Sequence, residues 1–140
     1  MSIIDKFSSF YTDLASMQVS ELASIYSEDV KFVDPIASHQ GLSAVEAYFS
    51  RLLHNAKYCT FTIHNKEKTE SGLYVVDWTM SFTSKRMNSG QPISVDGITM
   101  LKVIGNKITF HRDYYDLGQM IYENVPLLGR VIKRIKRSAG

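Results

Sequence analysis

The chain of 140 residues contains one cysteine, three prolines and no long apolar run. Cys59, standing alone, can form neither an internal disulfide nor a cysteine-based zinc site. A membrane-spanning helix needs ~20 consecutive apolar residues, far more than any run here. The opening Met1-Ser-Ile-Ile-Asp-Lys-Phe lacks the basic-then-apolar order of a secretory signal. A soluble, cytoplasmic protein is therefore expected. Motifs are missing as well: no Gly-rich phosphate loop, no GxGxxG, no HExxH and no GxSxG. His39, His54, His64 and His111 show no metal-ligand spacing. Neither a cofactor nor a metal is expected. Any chemistry must come from carboxylates, tyrosines and histidine that folding brings together.

What is present suffices for one globular domain spanning residues 1–140. Apolar residues make up 44% of the chain, enough to build a core and to exclude wholesale disorder. The net charge of +2 hides an asymmetry, because Arg130, Lys133, Arg134, Lys136 and Arg137 lie among the last eleven residues. Taking those five from +2 leaves −3 for the rest. A mildly acidic body with a basic tail does not suit nucleic acid, which a protein grips with a broad basic face.

Ile3, Phe7, Phe10 and Leu14 recur at helical spacing and predict a first amphipathic helix, with Ser2 as N-cap and Asp5 in its first turn. Ser20–Tyr26 reads as a second, short helix. Val30–Pro35 reads as a strand that proline ends. Ser43 and Glu46 form a capping-box pattern for a third helix reaching about Asn55. From Tyr58 the period changes to two. Segments 58–66, 73–86, 92–104 and 107–116 alternate and are rich in β-branched and aromatic residues. Short turns, including Gly105-Asn106, join them into an antiparallel meander. A basic amphipathic helix follows at about 127–137. The fold class is α+β, with helices packed on one face of a strongly curved antiparallel sheet.

The order of elements, together with Val33-Asp34-Pro35, Gly41-Leu42-Ser43 and His111-Arg-Asp-Tyr-Tyr-Asp116, resembles the nuclear transport factor 2-like superfamily. This is the cone-shaped fold of ketosteroid isomerases, SnoaL-like polyketide cyclases and limonene epoxide hydrolases. The resemblance implies a bent sheet around a deep apolar pocket whose polar residues decide the chemistry. Aligned with ketosteroid isomerases, Asp34 falls on the general base. Their oxyanion-hole tyrosine falls at Phe10 and their protonated aspartate near Thr99, so that hole is not reproduced. Aligned with limonene epoxide hydrolases, Asp113 falls on the water-activating aspartate, while the partner arginine and second aspartate fall at Trp78 and Met80. SnoaL-like cyclases also use a carboxylate acid/base in an apolar cavity.

With Asp113 inward, strand alternation brings Thr109, His111 and Tyr115 to the same face. Val95, Gly97, Thr99 and Leu101 then point in from the neighbouring strand, as do Val76, Trp78, Met80 and Phe82. The expected site has Asp113, Asp34 and His111 as catalytic residues. Its pocket walls are Phe10, Val76, Trp78, Met80, Val95, Thr99, Leu101 and Tyr115. Asp34 could equally end its strand by bonding nearby amides, and His111 could be a hydrogen-bonded wall residue. Tyr11, Tyr26 and Tyr48 fit helix faces and call for no function. Two classes follow. One is a cofactor-independent isomerase, cyclase or hydrolase acting on a small hydrophobic metabolite. The other is a non-catalytic domain that binds an apolar ligand or another protein. The family implies a homodimer through the outer sheet face, here Ser94, Asp96, Ile98, Met100, Arg112 and Tyr114. Leu127, Leu128, Val131 and Ile135 are expected to pack on the body or a dimer mate, not to bring the basic tail to a membrane.

Overall fold

Period-two alternation needs a sheet to bury its apolar half, and the sheet formed is six-stranded and curled. In the structure, a computed structural model describing residues 2–55 and 58–140, the elements are α1 (Ile3–Thr12), β1 (Tyr26–Val33), β2 (Ser38–Gln40), α2 (Leu42–Asn55), β3 (Cys59–Lys68), β4 (Tyr74–Phe82), β5 (Ile93–Ile104), β6 (Lys107–Tyr115), α3 (Leu117–Met120) and α4 (Leu128–Ala139). The strand order is β2-β1-β6-β5-β4-β3. The predicted meander runs from β3 to β6, and β6 then lies parallel to β1, the one parallel pair among these strands. Among the described residues no helix is long and apolar enough to cross a membrane.

Local chemistry explains where expectation and structure part. Ser2 caps α1, its hydroxyl accepting from the Asp5 amide while the Asp5 carboxylate reaches back. Ser20–Tyr26 is not a regular helix. Residues 19–24 form a 3₁₀ turn without a side-chain cap, and Tyr26 is already in β1, paired with Ile108. Pro35 does not simply stop β1: the chain turns over Asp34 and returns as β2 against Lys31–Val33. α2 starts at Leu42, one residue before Ser43, so Ser43 lies inside the first turn and is not the cap. Gly105 and Asn106 both have positive φ (58° and 62°), the backbone a tight hairpin with primed turn geometry demands.

The concave face closes over α1 and α2. Phe7 and Phe10 from α1, Leu14 just after it, and Val45 and Phe49 from α2 pack against Val76, Trp78, Leu101 and Ile108, all nearly or fully buried. A buried phenylalanine or leucine contributes about 1.5–3 kcal/mol. A smaller cluster of Ile93, Val95 and Met120 seals the end nearest α3. Gly97 lies beneath the Trp78 indole, where a Cβ would come within 2.3 Å of the ring.

The C-terminal stripe does not pack on the body. Leu127, Leu128, Val131 and Ile135 are 73%, 41%, 53% and 57% exposed. The chain enters α4 through a tight turn at Leu127 (φ 69°, ψ −58°), with the Leu128 amide bonding the Pro126 carbonyl. α4 then rests on residues 122–124, with Gly129 against the Glu123 carbonyl and Lys136 paired to the Glu123 carboxylate at 3.3 Å. That seat uses the glycine and a basic residue, so the apolar side faces outward.

Candidate functional site

β6 brings the polar residues together. Asp113 faces Thr99 across the β5–β6 ladder, and the Thr99 hydroxyl donates to Asp113 Oδ1 at 2.5 Å. Thr99 in turn accepts the Trp78 indole N–H at 2.8 Å. His111, two residues away on the same face, places Nε2 2.7 Å from the same Asp113 oxygen. Its Nδ1 lies 2.8 Å from the Tyr26 hydroxyl, which lies 2.8 Å from the Tyr11 hydroxyl. One tautomer satisfies every partner with Asp113 as a carboxylate. Nε2–H donates to Asp113, Nδ1 accepts from Tyr26, and Tyr26 accepts from Tyr11. His111 is fully buried and stacks on Phe32, ring centroids 4.1 Å apart. Burial pushes the Tyr11 and Tyr26 hydroxyls well above the ordinary tyrosine value, so both remain proton donors. Asp113 Oδ2 has no hydrogen-bond partner among the described residues.

Asp34 ends β1, and its oxygens are occupied. Oδ1 accepts the Ile36 and Ala37 amides at 2.8 and 2.9 Å, and Oδ2 accepts the Tyr48 hydroxyl at 2.8 Å. The carboxylate therefore holds the β1–β2 turn while remaining on the cavity wall. Burial raises the Tyr48 and Tyr115 hydroxyls above the usual tyrosine range, and the charge of Asp34 adds to both. Burial also pushes the Cys59 thiol up to about 11, which leaves it inert as a nucleophile.

The two carboxylates border a cavity of about 90 Å³. Asp34, Asp113, Trp78, Met80 and Tyr115 line it, as the alternation suggested. Phe10, Val76, Val95, Thr99, Leu101 and His111 do not. All are buried behind the wall, Phe10, Val76 and Leu101 in the main core, Val95 in the smaller cluster with Met120, and Thr99 and His111 in the bonds described above. Thr99 and His111 reach the cavity through the lining residues they touch, Asp113 and Trp78 for Thr99, and Asp113 and Phe32 for His111. Thr109 does not share their face: it is the unpaired extra residue of a bulge in β6, opposite Lys102 and Val103, which shifts the phase and turns Ile108 inward instead. Much of the lining missed from sequence is aromatic: Tyr11 from α1, Tyr48 and Phe49 from α2, Phe32 from β1 and Phe61 from β3. One signal was available for three of the polar groups. Tyr11, Tyr26 and Tyr48 occupy core-pattern positions where phenylalanine would suffice, and a buried hydroxyl needs a partner. Among the described residues no three His, Cys, Asp or Glu side chains cluster as a metal site requires.

The fold is shared with solved structures at low identity. A protein with a ketosteroid isomerase-like fold from Catenulispora acidiphila, solved in complex with trimethylamine, is 20% identical with a TM-score of 0.75, over 89% of this chain and 93% of that one. A nuclear transport factor 2-like protein from Burkholderia pseudomallei is 14% identical with a TM-score of 0.73, over 86% and 96%. A candidate SnoaL-like polyketide cyclase from Jannaschia is 12% identical with a TM-score of 0.71, over 85% and 88%. No curated protein matches the chain. The SnoaL-like domain family matches residues 7–111, three quarters of the sequence, from within α1 to His111 on β6, and the chain belongs to that family.

Proposed function

We propose that the protein moves a proton on a small, largely apolar carbonyl-bearing or cyclic metabolite, as an acid/base isomerase or cyclase with Asp113 as the proton carrier. The observation behind this reading is the asymmetry of Asp113. Thr99 and His111 hold Oδ1, while Oδ2 is unpartnered on a cavity wall that is otherwise mostly apolar. Oδ2 would take a proton from a carbon next to the carbonyl, and the bonding pair would pass to the carbonyl oxygen as an enolate. Tyr115, two residues along β6 and kept protonated by burial, would donate to that oxygen. Return of the proton to another carbon completes an isomerisation, while attack of the enolate carbon on a second carbonyl closes a ring, the new alkoxide taking back the proton that Asp113 holds. Asp34 acts here as an anchor for Tyr48 and the β1–β2 turn, since all three of its bonds serve that purpose. A cavity that admits benzene measures ~150 Å³, so this one suits roughly four to six non-hydrogen atoms unless Met80 and Met120 shift.

A second reading is binding without turnover. The wall combines aromatic rings with two carboxylates and, among the described residues, carries no lysine or arginine, a composition that attracts a small organic cation. The Catenulispora relative holds trimethylamine, which is of matching size. Incubation with cyclic ketones and enones in D2O separates the two. Protein-dependent loss of the α-proton NMR signal supports acid/base chemistry. No exchange, with trimethylamine quenching the single tryptophan, supports the binding reading.

A further inference from the structure

We infer that the outer face of α4 docks the protein on an anionic lipid surface. At ~100° per residue, Leu128, Val131, Ile132 and Ile135 share about 100° of arc. Arg130, Lys133, Arg134, Lys136 and Arg137 occupy the rest, and no acidic residue lies between 128 and 140. Ordinarily such a stripe turns to the core. Here the fold turns it away, because Gly129 and Lys136 make the contacts with Glu123, while Arg130 and Lys133 border the groove beside Asn88. Val131 and Ile135 are more than half exposed, and Leu127 continues the patch at the helix start.

Charge decides the occupant. Pairing α4 with its copy would gather ten basic side chains at one interface with no acid from either helix. An anionic bilayer meets both features at once. The apolar arc enters the interface, while Arg134 flanks it at headgroup level. A helix of 12 residues gives reversible attachment rather than anchoring.

Vesicle flotation of the full chain tests this. Phosphatidylcholine vesicles containing phosphatidylglycerol should float ~10-fold more protein than phosphatidylcholine alone, with release by salt near ~0.5 M. Val131→Ser combined with Ile135→Ser should abolish flotation and leave the melting temperature unchanged, since both side chains face water. Arg134→Gln combined with Arg137→Gln should weaken flotation only on anionic vesicles. Equal flotation with both lipids, or flotation that survives loss of the apolar arc, would overturn the proposal. So would a dimer that Val131→Ser with Ile135→Ser dissolves while no vesicle binding occurs, which would assign the face to a second copy.

Discussion

At the residue scale, buried hydroxyls decide how the site is held. Tyr26 occupies a position where phenylalanine would pack as well, yet its hydroxyl joins Tyr11 to His111. Tyr26→Phe strands His111 Nδ1 inside an aromatic box, and chemical denaturation should show a loss of about 1–3 kcal/mol. An unchanged stability would mean that the chain of bonds is not maintained in solution. The same burial sets an alkaline limit. Unfolded tyrosine ionises near ~10, while Tyr11, Tyr26, Tyr48 and Tyr115 hold their protons to higher pH in the folded chain. Above pH ~10 the unfolded state loses protons that the native state keeps, so stability is full below that value and falls as pH rises. Phenolate absorbance from these four of the eight tyrosines should appear only with cooperative unfolding. A gradual rise in the native baseline involving more than four would contradict their burial.

At the element scale, alternation made β3 to β6 legible, because a half-buried strand must repeat every two residues and the turns between these strands carry Gly and Asn. It also placed Trp78, Met80, Asp113 and Tyr115 on one face. What escaped it were departures from periodicity. The bulge in the β5–β6 ladder costs one residue of phase and moves Thr109 off the pocket face. β2 is three residues long, too short to leave a pattern, and the depth at which α1 plugs the cone depends on packing that no single segment encodes. Asp34 was legible as a residue that ends its strand by bonding nearby amides, and the same carboxylate borders the cavity. Gly97 is the sharpest test of how β4 meets β5. Its missing side chain admits the Trp78 ring, which in turn bonds Thr99. Gly97→Ala should displace the indole and destabilise by about 1–3 kcal/mol, with a changed Trp78 emission. Native stability together with a native spectrum would contradict the close approach.

At the scale of the whole molecule, the fold leaves two faces uncovered, the convex side of the sheet and α4. On the sheet, Ile98 and Tyr114 are 44% and 47% exposed, beside Arg112 and Asp96. Mixed apolar and charged groups of this kind suit a symmetric interface, and light scattering at high micromolar concentration is expected to give a dimer. A monomer at that concentration would contradict it. Asp96, Ile98, Arg112 and Tyr114 do not line the cavity, so pairing through them leaves its walls in place.

The most direct measurement replaces Asp113 with asparagine and reads two quantities on one sample. The amide oxygen can still accept from Thr99 and His111, and the new NH2 takes the place of an oxygen that has no partner, so folding is nearly indifferent to the change. The melting temperature should stay the same or rise slightly, while α-proton exchange in D2O with cyclic ketones falls ~10²–10⁴-fold from the native rate. A clear drop in melting temperature with exchange at the native rate would show that Asp113 serves the fold and not the chemistry.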